Sequence, residues 1–263
     1  MKRTIAIATV VLLIIVYSLN AFAANISLDT SKTGDGVMGV TIHGEEGNRY
    51  KVMISKGSEE YTYDCFGTEK EYFPLQFGSG SYKVSVLQQI SGTSYKVVQS
   101  KKVNVSLNVE NAVFLQSIQN VNWNFDMEAI QMADDLAGSF STVEEKVETI
   151  YEYVIQTVDY DYAKINKLDK QYVPDVESTH VSGKGICYDY SALFAAMLRS
   201  QGIPTKLVKG YSDNVDGYHA WNEVYINEEW ITIDTTLDAV LGSIGEETKM
   251  EKNKNEYQAL KFY

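Results

Sequence analysis

The sequence is poor in the residues that staple or stiffen small folds, with two cysteines and three prolines among 263 residues. Two cysteines cannot build a disulfide scaffold, and no CxxC or Cys/His cluster offers a structural zinc site. Positive charge is also scarce: 23 Lys plus Arg stand against 35 Asp plus Glu, a formal net charge of −12. Nucleic-acid binding needs clustered cations to displace counterions, so this balance excludes a general nucleic-acid binder. A hydrophobic content of 44% excludes a disordered chain. The length suits one large domain or two modest ones, at roughly 100–200 residues each.

A membrane-spanning run is missing as well. The apolar stretch Ile5 to Tyr17 falls short of the roughly 20 residues that cross a bilayer. Lys2 and Arg3 precede it, and Ala21-Phe22-Ala23 follows as a small-x-small cleavage pattern. Residues 1–23 therefore read as a secretory signal peptide, cut after Ala23. Removing its two basic residues leaves a charge of −14. No Cys follows the run to accept a lipid, and no later stretch is apolar enough to span. A secreted or cell-surface protein with no membrane contact after cleavage is expected.

What is present falls into two rhythms. From Asn25 to Leu107 the chain alternates like an all-β module, and residues 24–107 are expected to form a small β-sandwich, immunoglobulin-like in architecture. Predicted strands are Gly36–His43, Arg49–Ser55, Glu60–Phe66, Ser81–Gln88 and Thr93–Leu107, broken by turns such as Gly44-Glu45-Glu46-Gly47 and Gly78-Ser79-Gly80. Tyr82, Val84 and Val86 are expected to share a buried face. Residues 108–263 read as the second unit, in which the pattern turns helical. Asn124–Leu136 has loose helical spacing. Ser141-Thr142-Val143-Glu144 fits a capping box, followed by a stripe from Val143 to Ile155 and an end near Val158. Residues 163–184, with Pro174, read as a long surface loop.

Chemistry concentrates after that loop. Gly183 and Gly185 allow a tight turn before Cys187, and Tyr190, Leu193, Phe194, Met197 and Leu198 make a helical stripe ending near Gly202. Cys187 thus falls at a helix N-terminus, where free N–H groups and the dipole favour a thiolate. His219 follows on a strand with Trp221, Glu223 and Tyr225 on its side, and Asp234 ends the strand beginning at Trp230. A hairpin through Asn227-Glu228-Glu229 brings Asp234 near His219. Thiol, imidazole and carboxylate can then act as nucleophile, base and orienting group.

Gly-Ile-Cys187-Tyr-Asp-Tyr-Ser, Gly202-Ile-Pro-Thr-Lys206, His219-Ala-Trp-Asn-Glu-Val and Trp230-Ile-Thr-Ile-Asp234 together resemble the transglutaminase-like superfamily, in the form of an exported bacterial-type member. The resemblance spans about residues 111–263 and implies an α+β fold with a papain-like catalytic core. It also implies Cys187 as nucleophile, His219 as base and Asp234 as its orienter. Lys206 departs from the Arg that many members carry after Gly-Ile-Pro, which bears on local packing or an ion pair. The implied activity is acyl transfer on protein or peptide amides through a thioester. Hydrolysis is expected ahead of glutamine–amine crosslinking, and a non-catalytic cell-surface scaffold is the rival class. No cofactor and no metal are expected. The Cys187 N–H is one oxyanion donor, with His180, Tyr160 or Trp123 as candidates for the second. His43 and Trp221 read as structural, and Glu223 as a packing or hydrogen-bond partner. Asp213 to Gly217 reads as a polar turn, lacking the ligand spacing of a calcium loop, and Cys65 as a lone buried thiol.

Overall fold

The amino-terminal alternation folds as seven antiparallel strands. In the computed structural model, which describes residues 24–67 and 69–263, they are β1 (Asn25–Asp29), β2 (Val37–His43), β3 (Tyr50–Lys56), β4 (Glu59–Cys65), β5 (Glu71–Pro74), β6 (Gly80–Ser91) and β7 (Ser94–Val105). They make two sheets, ordered β1-β2-β5 and β4-β3-β6-β7. Tyr82, Val84 and Val86 are buried as the alternation requires, while Lys83 is exposed. The sequence pattern did not mark β1 and β5. Both are short, and β1 offers only Ile26 and Leu28 as apolar alternates, too few for a period to stand out. The expected signal peptide, residues 1–23, lies outside the described residues.

Beyond β7 come α1 (Glu128–Ala137), α2 (Val143–Thr157), β8 (Asp159–Tyr160), α3 (Tyr162–Ile165), α4 (Val176–Ser182), β9 (Lys184–Gly185) and α5 (Cys187–Ser200). A second group follows: β10 (Thr205–Ser212), β11 (Val215–Ile226), β12 (Glu229–Ile233), α6 (Thr235–Ser243) and β13 (Tyr257–Phe262). Strands β12-β11-β10-β13 form one antiparallel sheet, and β8 pairs with β9 in parallel. This is an α+β chain. Helix α5 packs on β10 and β11 and is flanked by α1, α2 and α4. Every residue from Tyr188 to Arg199 is buried, so α5 is a central helix and not one with a single apolar stripe. Ala192, Ala195 and Ala196 let its neighbours approach on the sides the stripe leaves open.

Two local expectations are corrected. The cap of α2 is Thr142, not Ser141: its Oγ1 accepts the Glu145 N–H at 3.3 Å. Ser141-x-x-Glu144 and Thr142-x-x-Glu145 both fit the capping pattern, and the sequence cannot choose between adjacent registers. Residues 163–184 are not a plain loop, because most of α3 and all of α4 lie within them. Helix α4 is seven residues long and rich in Val, Ser and Thr, so propensity hides it. Its caps were legible, however: Asp175 accepts the Ser178 N–H at 2.9 Å, and Gly183 follows with a left-handed φ of 59°.

Strand β13 joins the second sheet to the first strands. Phe262 and Tyr263 pack on Tyr61, and Tyr263 also meets Tyr63. Fully buried Arg199 donates to the backbone oxygens of Thr205, Gln116 and Tyr263 at 2.9, 2.7 and 2.9 Å. One guanidinium thereby ties α5, β10, the inter-element chain and β13 together. A planar five-donor fork suits this position.

Candidate active site

Cys187 is the first residue of α5, and the turn before it is fixed from within the helix. Asp189 reaches back so that its Oδ2 accepts the Ile186 N–H at 2.9 Å. The same fully buried carboxylate accepts Lys164 Nζ at 2.7 Å and the Tyr172 hydroxyl. The α3 region and the chain beyond it are therefore fastened to the helix that carries the thiol. Gly185 is required here, because a Cβ would lie 2.6 Å from that of Asp189. With Asp189 occupied by Ile186, the Cys187 N–H has no hydrogen-bond partner among the described residues, as expected of the first amides of a helix.

His219 and Asp234 meet as the hairpin expectation requires. Ile226 pairs with Glu229 and Asn222 with Ile233, so the turn proper is Asn227-Glu228, both with positive φ, and Asp234 follows the strand. His219 Nε2 lies 2.7 Å from Asp234 Oδ2, with both side chains buried. Asp234 is held in turn: Tyr257 donates its hydroxyl to Oδ2 at 3.1 Å, and Oδ1 accepts the Leu237 N–H at the start of α6. Burial alone disfavours a charged imidazole. The hydrogen bond to Asp234 and the negative charge of Asp234 and Cys187 outweigh it, lifting the His219 pKa to about 9. The ring is therefore positive at neutral pH and sits against the thiol. Cys187, His219 and Asp234 are brought together.

Residues 130–235, which hold all three, match the family model of the transglutaminase-like superfamily. This segment is a transglutaminase-like domain. Among curated proteins, human kyphoscoliosis peptidase is 29% identical over 117 residues, 40% of this chain and 17% of that one. The uncharacterized protein YebA of Bacillus subtilis is 26% identical over 177 residues, 60% of this chain and 23% of that one. The chain thus spans less than a quarter of the length of either relative. Among solved structures, a candidate cysteine protease from Cytophaga hutchinsonii is 17% identical with a TM-score of 0.43, covering 73% of this chain and 65% of that one.

The other residues singled out by sequence sort themselves around the transglutaminase-like domain. Tyr160, on the strand paired with Gly185, lies where the charge of Cys187 reaches its hydroxyl. Burial and that charge together push it up to about 12. His180 sits on α4 with its Nδ1 3.0 Å from the Tyr153 hydroxyl. Trp123 packs edge-on against Phe125, which lines a cleft with Ser200 and Gln201 at the far end of α5. His43 is exposed at the end of β2. Trp221 is buried between His219 and Tyr257. Glu223 pairs with Lys206 at 2.8 Å, and Lys206 lies 3.8 Å above the Trp230 ring, which accounts for the lysine after Gly-Ile-Pro-Thr. Asp213 and Asn214 form the turn between β10 and β11.

Sequence reasoning missed Asp189 and Lys209. Asp189 carried a signal, an acid three residues after the helix cap. Lys209 carried none: nothing in the sequence separates it from any other strand lysine.

Proposed function

We propose that the protein is a cysteine-dependent acyl transferase acting on protein or peptide amides, with water as the usual acceptor. The observation that carries this is the His219 imidazole, charged at neutral pH and held between the Cys187 thiol and the Asp234 carboxylate. Asp234 occupies Nε2, so Nδ1 is the nitrogen turned to sulfur. The Cys187 thiolate attacks the amide carbonyl and a tetrahedral oxyanion forms. Collapse of that intermediate breaks the C–N bond as His219 protonates the leaving nitrogen, leaving a thioester. Water then attacks, His219 takes its proton, and the thiolate leaves. The Cys187 N–H and the Tyr160 hydroxyl are the oxyanion donors we assign; among the described residues that hydroxyl makes no other hydrogen bond. The peptidase name of a curated relative favours water over an amine.

We further divide the chain into a signal peptide at 1–23, a β-sandwich module of immunoglobulin-like type at 24–107 and the catalytic unit at 108–263. The leader pattern in the sequence supports export, with protein or wall peptide at a cell surface as the substrate we propose. The decisive experiment incubates residues 24–263 with an unfolded protein and a fluorescent primary amine. New peptide termini in excess of incorporated amine are expected, and none with Cys187→Ala. Amine incorporation exceeding cleavage would make the protein a crosslinking enzyme. A Cys187 that iodoacetamide alkylates no faster than it does Cys65 would reduce the fold to a scaffold.

A further inference from the structure

Near Cys187 stand two cations without a counter-ion among the described residues. Lys209 on β10 and Lys261 on β13 are directly paired across the antiparallel register. Lys209 Nζ lies 3.1 Å from the ring centre of Tyr188, the residue after Cys187, and 5.8 Å from that of Tyr263. Lys261 Nζ lies 5.6 Å from the ring centre of Tyr61. Neither lysine has a carboxylate within ion-pair distance or any side-chain hydrogen bond among the described residues, although the chain holds 35 acids.

That arrangement is unfavourable for folding alone. Like charges directly opposite on paired strands repel, and a partly buried ammonium loses hydration. Burial, with Lys261 beside it, brings Lys209 down to about 7 against the opposing pull of Cys187. The groups around Lys209 are Cys187 and Tyr188 from α5, Lys261 from β13 and Tyr263 just after it, with Tyr218 of β11 near those tyrosines and Tyr61 of β4 beyond Lys261. No acid is among them. In a protein whose net charge repels anions, two unpaired cations near the nucleophile would attract them.

We propose that Lys209 and Lys261 form a carboxylate-binding subsite beside Cys187, selecting an acyl substrate that carries a carboxylate near the scissile carbonyl. This rests on reading Cys187 as the nucleophile. The aromatic rings of Tyr188, Tyr263 and Tyr61 would flank the acyl chain, while the lysines supply the two donors a carboxylate accepts.

The test needs no natural substrate. Iodoacetate and iodoacetamide alkylate a thiolate by the same step, in which an S–C bond forms and iodide leaves, but only iodoacetate carries a negative charge. Their rate constants at Cys187, read by mass spectrometry, give a ratio that reports the local cation. Lys209→Met should lower the iodoacetate-to-iodoacetamide ratio roughly tenfold, and Lys261→Met less. Lys209→Arg should keep the ratio high and remove its decline between about pH 6 and pH 8, because Arg does not lose its proton there. The acyl arm uses 4-nitrophenyl esters, from which thiolate attack releases 4-nitrophenolate. The glutarate monoester should outpace the valerate ester in the native protein and lose that lead in Lys209→Met. A ratio unchanged in Lys209→Met, while Cys187 still reacts fast with iodoacetamide, would overturn the subsite and leave the nucleophile standing. A native Cys187 that is slow with iodoacetamide would instead overturn the nucleophile.

Discussion

His219 Nε2 lies 2.7 Å from Asp234 Oδ2, and both side chains are buried. The carboxylate thus fixes the orientation of the ring and keeps it charged, in a site where burial works against that charge.

The alkaline limb of activity follows from this. His219 is protonated until about pH 9, so turnover that needs it as an acid should fall as pH rises through that value. Asp234→Asn removes the hydrogen-bonded negative charge and leaves burial in force. The limb should then move to lower pH, with turnover reduced by up to roughly 10⁴, the loss seen for the comparable change in a serine-protease triad. A pH–rate profile with an unmoved limb would detach Asp234 from His219.

Tyr160→Phe isolates the hydroxyl assigned to the oxyanion. Loss of one such donor lowers kcat by roughly 10²–10³ with little change in KM. The same measurement on His180→Ala should show near-native kcat, since that ring is bonded to Tyr153. Equal effects from the two variants would remove Tyr160 from this role.

The two thiols should separate cleanly in a labelling experiment. Cys65 is buried and donates to Glu71 Oε1 at 3.2 Å. Burial and then the Glu71 charge hold its thiol far above the ordinary range. At neutral pH, iodoacetamide should modify Cys187 and leave Cys65 unlabelled until the protein is denatured.

Asp189→Asn should loosen the start of α5 and the chain attached to it. Lys164 is partly exposed, so the loss is smaller than for a fully buried pair, about 2–3 kcal/mol by urea unfolding. Limited proteolysis between α3 and α4 should accelerate in parallel. Native resistance to protease would mean that Gln171, bonded to Asp64 at 2.9 Å, holds this chain without Asp189.

Arg199→Lys should fail to rescue Arg199→Met. A single ammonium cannot satisfy three carbonyls lying in different directions, and both variants should lose about 2–4 kcal/mol while Cys187 still alkylates at its native rate.

The elements that the sequence determined by itself are those whose signal is local. Alternation marked β3, β4 and β6 because each has a buried and an exposed face, and spacing of three and four marked α2. Asn227-Glu228 set a tight turn, and a tight turn sets the register that carries Asp234 to His219. The position of Cys187 at a helix start and the meeting of His219 with Asp234 were therefore legible. What tertiary structure alone decided depends on partners distant in the chain. Helix α5 is buried all round because a sheet and three helices close on it, which no stripe within its own residues can announce. β13 becomes a strand because β10 offers an open edge. Lys209 is an unpaired cation only because β13 places Lys261 opposite and α5 places Tyr188 beneath, and a charge acquires its meaning from its surroundings.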